Sequence, residues 1–569
     1  MGGGWAAVSA PGPKQALMFF DHIRPIHPLR ALLTLVLGTA FMSLLFLPSP
    51  VVNQNRFEFD PRPEFEVLLL VGLVAVFAAL GRRMPGWLRW TAASLLTVGA
   101  LLHAIAAAVP SFFERELDLY WDLPHVPSLV GLFFAAKGWL KASLVLLGIA
   151  VALLALTAAI ALVLRMMERA LRGGHRAETA LVVVGLSVVL LPIPWPMVGS
   201  LASAGLSGEV GHQLGNAWFS FRVLNGGAGP YGQALASPEP PVRDLNKLQS
   251  HDVYLVFFES YGTTVLDDAQ FAAEIKPALG EFDTSVEDAG YYIVSNRIDS
   301  PTFGGGSWLA HGTMASGLKL DRFLYRLLLS STRRTLPKYF AAAGYQTLDI
   351  MPGIKKPWPE GAYWGFDRLI TAKDLAYDGP EFGWFDVPDQ WTLKKALEQI
   401  DDKPHPPQFT QIVLVSSHTP FAPVPPYVED WSDVGPYKSI AQDEWTKIYT
   451  DPDWWHLEAP YLQSVRYDLK VLAGWMRQLK GQPLIVILGD HQPPGFVSGS
   501  AAPHTVPIHV LSRDEDLVLP FANLGYVAGA VPPSAGEFKG MESFLPDFLN
   551  LFASGHSVAT APDTADPAP

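Results

Sequence analysis

Cysteine is absent from the 569 residues. No disulfide framework, thiolate metal site or cysteine nucleophile can be built from this chain. Positive charge is also scarce: 41 Lys and Arg stand against 54 Asp and Glu, for a formal net charge of −13. Without a basic stripe to displace phosphate counterions, nucleic acid is a poor partner. A third shortage is local. Before about residue 200 charge nearly vanishes from long apolar runs, whereas the remainder reads as a soluble domain.

A membrane-spanning helix takes roughly 20 mostly apolar residues. Five segments fit, at about 31–50, 65–81, 90–109, 140–164 and 179–198, the second being short. Lys14, Arg24 and Arg30 precede the first. Arg82, Arg83 and Arg89 separate the second and third, and Arg165, Arg169, Arg172 and Arg176 the fourth and fifth. The alternate loop carries Glu114, Glu116, Asp118 and Asp122. Retention of positive residues on the cytoplasmic side puts the N-terminus inside and everything after about residue 200 outside. Residues 1–200 thus read as a five-helix transmembrane domain and not as a cleaved signal peptide. The run 129–139 is too short to cross and reads as an interfacial helix.

Residues 201–250, rich in Gly, Pro, Ser and Asn, read as a surface linker. Residues 251–555 alternate short β-branched and aromatic runs with helical stretches, which predicts an extracytoplasmic α/β domain with a mainly parallel sheet. Expected strands are VYLVFFES, YYIVSNRI, YQTLDIM, QIVLVSSH, LIVILGDH and PIHVLS. Expected helices cover 334–343, stopping at Gly344, and 457–479, stopping before Gly481. The second carries Leu462, Val465, Leu469, Leu472 and Met476 at helical spacing. Residues 556–569 have nothing to bury and read as a disordered tail.

Three of these strands end in chemistry. VYLVFFES closes on Glu259, QIVLVSSH on His418, and LIVILGDH on Asp490 and His491. Ligands of open α/β sheets bind beyond the carboxyl ends of parallel strands, so these ends predict one shared site. Asp490 and His491 are adjacent oxygen and nitrogen ligands for a cation; the plainer alternative is a turn aspartate and a surface histidine. Glu259, after an apolar run, is costly to bury without a cation; a helix-capping acid is its alternative. Gly304, Gly305 and Gly306 set up Ser307 as a nucleophile, because glycines let an anionic substrate approach backbone N–H groups and a helix can begin there. A cation on its oxygen would lower its pKa. Thr302 and Thr313 are rivals for the role. His418 is a candidate to donate to phosphate or to protonate a leaving group, against a purely structural histidine. His504, Lys355, Lys356 and Trp358 are candidates for substrate contact, a solvated lysine pair being the alternative for the two lysines.

Taken together, these residues resemble the membrane-bound transferases of the alkaline phosphatase superfamily. The pattern is similar to lipoteichoic acid synthase and phosphoglycerol transferases, and more distantly to phosphoethanolamine transferases. The resemblance implies one divalent cation (Mn, Mg or Zn) held by Glu259, Ser307, Asp490 and His491. It implies substrate contact by His418 in SSHTPF and by Trp358 in KKPWPE. Glu360 stands where the family has an arginine, and Ser307 where threonine is common. It implies a phospholipid donor, a glycan or envelope-polymer acceptor, and a multi-pass protein of the bacterial inner membrane with a periplasmic catalytic domain. The formylglycine sulfatases need C-x-P-x-R or S-x-P-x-R, and SPTFG at Ser300 does not fit. The expected activity is transfer of a phosphoglycerol-type head group through a phospho-serine. Phosphoethanolamine transfer and phosphodiester hydrolysis are the alternatives.

Overall fold

A computed structural model describes residues 28–554, apart from 47, 52–55, 60–63, 114, 173–204, 225–228, 381, 383–386, 400–404, 436, 438–452, 454–455 and 500. The expected fifth span at 179–198 and the tail at 556–569 lie outside the described residues. The chain divides into two compact units. One comprises Met1–Val51, Arg56–Ala108 and Leu140–Gly215; the other comprises Val52–Asn55, Val109–Trp139 and Asn216–Pro569.

Apolar helices dominate the first unit: Pro28–Ser43, Phe65–Ala79, Gly86–Phe113 and Trp139–Arg172, with a small hairpin of β1 (Pro48–Val51) and β2 (Arg56–Phe59). Gly86–Pro110 and Trp139–Arg172, at 25 and 34 residues, are long and apolar enough to cross a membrane. The apolar helices Arg30–Phe46 and Phe65–Ala79 fall on two other expected spans and are shorter. Val67, Val71, Val74, Ile160, Leu164 and Met167 form the core between them. Glu168 is buried at its edge, where Arg89 (3.7 Å), Arg172 (3.6 Å) and the Met84 N–H (3.2 Å) offset its charge. Leu140, Leu144, Leu147, Val151 and Leu154 lie on one exposed stripe of the 34-residue helix.

Two helices, Gly205–Leu224 and Gly229–Leu235, occupy the stretch expected to be a linker. Its glycine-rich composition hid a periodic pattern: exposed Val210, Leu214, Trp218 and Phe221 recur every three or four residues. The interfacial helix expected at 129–139 corresponds to Val126–Lys137.

The second unit is built on one eight-stranded sheet, β10-β4-β9-β8-β3-β7-β5-β6. Its strands are β3 (Val253–Phe258), β4 (Tyr292–Asp299), β5 (Gln346–Met351), β6 (Arg368–Thr371), β7 (Gln408–Val413), β8 (Leu484–Gly489), β9 (Thr505–Ser512) and β10 (Val527–Ala528). Pairings from β8 through β6 are parallel; those joining β8, β9, β4 and β10 are antiparallel. The sheet is therefore mixed, with its parallel part around β3. Five of the six sequence-expected strands are present in place, and the sixth, QIVLVSSH, starts three residues earlier, at Gln408, and ends at Val413; β6 and β10, of four and two residues, were too short to show a pattern.

Both faces of β3 are covered, which is why all six of its residues are apolar. Tyr254, Val256 and Phe258 pack with residues of helices Ala269–Asp288 and Glu458–Gln478 on one face. Val253, Leu255 and Phe257 pack with residues of helices Ser307–Ser316, Leu336–Ala342 and Phe544–Phe552 on the other. Leu462, Val465, Leu469, Leu472 and Met476 of the long helix are all buried. Gly344 and Gly481 follow the two expected helices at positive φ, 87° and 69°. This clamped sheet fixes the ends of β3, β7 and β8 side by side.

Candidate active site

The register places Phe258 opposite Gly489 and Phe257 opposite Val413. Glu259 leaves β3 and Asp490 and His491 leave β8 at the same level of the sheet. Their ligand atoms all lie within 4.8 Å of one another, and all three side chains are buried. Ser307 joins them from the other face: its Oγ is 3.2 Å from Glu259 Oε2 and 3.2 Å from His491 Nε2. The four residues expected to surround one cation are therefore brought together.

Each is held by local structure. Ser260, at φ 54°, turns the chain so that its N–H donates to Asp490 Oδ1 (2.8 Å) and its Oγ donates to Glu259 Oε1 (3.0 Å). Asp490 Oδ1 also accepts from the His491 N–H (2.7 Å), while Oδ2 has no hydrogen-bond partner. His491 Nδ1 donates to the Gln492 carbonyl at 2.7 Å. A carbonyl can only accept, so in the neutral ring Nε2 keeps its lone pair toward Glu259 and Ser307. An unsatisfied buried carboxylate oxygen and a presented imidazole lone pair are what a cation completes. The donor set of two carboxylates, a hydroxyl and one imidazole fits a divalent ion.

Gly304, Gly305 and Gly306 have φ of 65°, 145° and 80°, a run open only to glycine. The loop is tied back by the Gly304 N–H donating to the Gln492 carbonyl (3.1 Å). Ser307 then begins helix Ser307–Ser316, whose first-turn N–H groups face an incoming anion. Of the rival hydroxyls, Thr302 donates to the Gly305 carbonyl, and Thr313 is fully buried and accepts from the Leu320 N–H at 3.0 Å. Neither has a hydrogen bond to Glu259 or His491.

Electrostatics mark the centre. Burial, then the neighbouring Glu259 charge, pushes Asp490 up to about 6. For His491, burial favours the neutral ring, but Asp490 and Glu259 outweigh it and raise its pKa. The two carboxylates are therefore poised to repel each other or to share a positive partner. Gly489 lets the strand end approach the Tyr261 carbonyl, where a Cβ would collide with backbone. Gly489→Ala is expected to cost about 3 kcal/mol or more of folding stability, measured by chemical denaturation of the full chain in detergent.

Other expected residues are less tightly placed. His418 is partly exposed after β7; its Nδ1 donates to the Thr419 carbonyl at 2.7 Å, and burial pushes it down to about 4. It also feels the charges of His491 and Asp490. As a neutral ring with Nδ1–H committed, His418 offers Nε2 first as a proton acceptor and donates only once protonated. His504 is exposed, and its ring lies 5.3 Å from that of Phe303 in the loop before Ser307. Lys355 and Lys356 are exposed, and Trp358 packs against the core beside Gly361. The structure draws none of these four into the cluster of Glu259, Ser307, Asp490 and His491.

Three groups near the site escaped sequence reasoning. Trp308, 44% exposed beside Ser307, meets Tyr325 edge-on at 4.4 Å. Asp389 is fully buried, and its carboxylate accepts from the Val415 N–H (2.9 Å) and the Ser416 N–H (2.6 Å), fixing the turn that carries Ser417 and His418. Burial, then the Asp389 charge, holds neighbouring Asp468 well above the usual carboxylate range. The third is His311, one helical turn after Ser307. Only its spacing of four from Ser307 could have signalled it.

The sulfatase family model matches residues 317–507. The match includes His418, Asp490 and His491 and begins after Glu259 and Ser307. Over this third of the chain the sequence is similar to the sulfatase family. No curated protein matches it. Among solved structures, it is similar to the lipoteichoic acid synthase LtaP of Listeria monocytogenes (14% identity, TM-score 0.37, 58% of this chain and 79% of that one). It is also similar to the phosphoglycerol transferase GacH of Streptococcus pyogenes, solved with sn-glycerol-1-phosphate (14%, TM-score 0.33, 59% and 86%). A third is the periplasmic domain of EptC from Escherichia coli, in complex with Zn (14%, TM-score 0.32, 53% and 89%). All three are distant likenesses.

Proposed function

We propose that this chain is a cation-dependent phosphotransferase. It would move a phosphoglycerol-type head group from a membrane phospholipid to a hydroxyl of a glycan or envelope polymer, through a phospho-serine on Ser307. The observation that carries this reading is the position of Ser307 Oγ, 3.2 Å from both Glu259 and His491 at the head of a glycine-backed helix. A cation held by Glu259, Asp490, His491 and Ser307 would supply positive charge for the nucleophile and the transferring phosphoryl.

The chain's own groups do the rest. Ser307 Oγ gives up its proton and bonds to the donor phosphorus as the bond to the diacylglycerol oxygen breaks, and that oxygen takes up a proton. An acceptor hydroxyl then attacks the same phosphorus, loses its proton and frees Ser307. His418, starting neutral, can take a proton and return it to the departing alcohol. The first-turn N–H groups of Ser307–Ser316 face the phosphoryl oxygens. The placement in a bacterial inner membrane, with residues 251–555 on the periplasmic side, belongs to the same proposal. Supporting it are two helices of crossing length and the exposed leucine-rich stripe of Trp139–Arg172, a surface ill suited to water.

A second reading has one observation behind it. Glu360 shares the loop with Trp358, and its charge would favour an ammonium-bearing head group such as ethanolamine. The test is mass spectrometry of the Ser307 peptide after incubation of the purified chain with phosphatidylglycerol or phosphatidylethanolamine. A phosphoglycerol adduct is expected from the first lipid only. An ethanolamine adduct would replace the head group, and the absence of any adduct on Ser307 would remove the mechanism. Free glycerol phosphate without a modified polymer would reassign the enzyme as a hydrolase.

A further inference from the structure

His311 stands outside the ligand set, yet its position calls for a partner. It lies on helix Ser307–Ser316, four residues after Ser307, so both side chains share one face of the helix. Its ring lies against the Phe257 ring at 4.0 Å, tilted by 37°, under the end of β3 that delivers Glu259. His311 Nε2 is buried and makes no hydrogen bond. Asp490 Oδ2, in the cluster above, is likewise buried without a hydrogen bond, with His491 Nε2 standing 3.5 Å from it. The two groups act on each other electrostatically, Asp490 favouring the charged ring and His311 favouring the carboxylate. Burial pushes His311 down to about 4, so the neutral ring carries one N–H.

Buried polar atoms rarely go unpaired, and a bridging water typically joins those too far apart for direct contact. A cation ligand is as well placed as the neighbours that orient it. Resting on the cation site of the proposed function, we propose that His311 is a positioning residue for that centre, donating from Nε2 through one water to Asp490 Oδ2. Its neutral donor holds the carboxylate in its coordinating orientation without adding a competing charge. It touches neither the substrate nor the reacting phosphorus.

The test is calorimetric titration of the purified full chain in detergent with Mn²⁺, at about neutral pH, where His311 is uncharged. His311→Leu removes the donor and is expected to weaken Mn²⁺ affinity by about ten- to a hundredfold. His311→Gln keeps a donor and is expected to stay within about threefold of the unsubstituted protein. Unchanged affinity in His311→Leu, even with lowered thermal stability, would show a purely structural histidine and overturn the proposal. If His311→Leu does not fold, the unsubstituted chain still decides. Zinc addition is expected to shift the His311 ring-nitrogen resonance, and an unmoved resonance overturns the role. No Mn²⁺ binding by the unsubstituted chain would instead sink the cation site itself, and this role with it.

Discussion

Ser307→Ala is expected to reduce release of diacylglycerol from phosphatidylglycerol by about a thousandfold or more. The variant should express and fold as before, since Ser307 is only partly buried and opens a helix whose buried face starts at Ala310. Ser307→Thr keeps a hydroxyl at the same helix position and should retain measurable turnover. Thr302→Ala and Thr313→Ala should each still form the adduct, because those hydroxyls serve Gly305 and Leu320. Head-group-labelled lipid gives the readout, as label on the Ser307 peptide and as soluble or polymer-bound product. Turnover in Ser307→Ala equal to that of the parent would take the nucleophile role from this residue.

Divalent cation should stabilise the protein strongly, and more so as pH rises through about 6. The sign follows from two groups. Asp490 keeps its proton to about 6 in the folded chain against 3.8 in the unfolded one, and His491 also holds its proton to higher pH when folded. Both protons must leave for the ligands to bind a cation, so protons compete with the metal below about 6 at Asp490 and to above the ordinary imidazole range at His491. For Asp490 alone, the raised pKa makes the cation-free fold weaker above about 6 than below 3.8, by about 3 kcal/mol. His311, His418 and His509, pushed down by burial to about 4, 4 and 3, act in the opposite direction on total stability.

Comparing chelated with cation-loaded protein at each pH isolates the site. At a thousandfold excess over Kd, the gain should approach about 4 kcal/mol. It should shrink toward zero near about pH 5. Thermal scans of the full chain in detergent measure it. Asp490→Asn and His491→Ala should erase the difference at every pH, and a parent protein indifferent to cation would refute the centre.

Much of the second unit could be read from residue order because its central strands are buried on both faces. Val253–Phe258 and Leu484–Gly489 are unbroken apolar runs, and a carboxylate or imidazole at the end of such a run stands out. Glu259, Asp490 and His491 stood out for that reason, and Ser307 because three glycines precede it. What stayed hidden depends on contacts between distant segments. Asp389 looks like any helix-starting acid until the N–H groups of Val415 and Ser416 fold onto it. His311 sits among ordinary helical residues, and only the fold places Phe257 and Asp490 near it. The helix Gly205–Leu224 was masked by four glycines and serines in its first half, which weaken intrinsic helicity while leaving the apolar period intact. His418 shows the finer limit. Its presence after β7 was visible, but which nitrogen bears the proton follows from the Thr419 carbonyl, a backbone detail that no pattern encodes.

Strand β3 leads into one acid, and neighbouring β8 leads into the complementary pair, Asp490 lying 230 residues beyond Ser260. A ribosome must therefore release the chain through His491 before the cluster can close. Products stopped before β8 would carry Glu259 and Ser307 without Asp490 and His491. Interrupted synthesis thus leaves behind fragments in which this cluster is never completed.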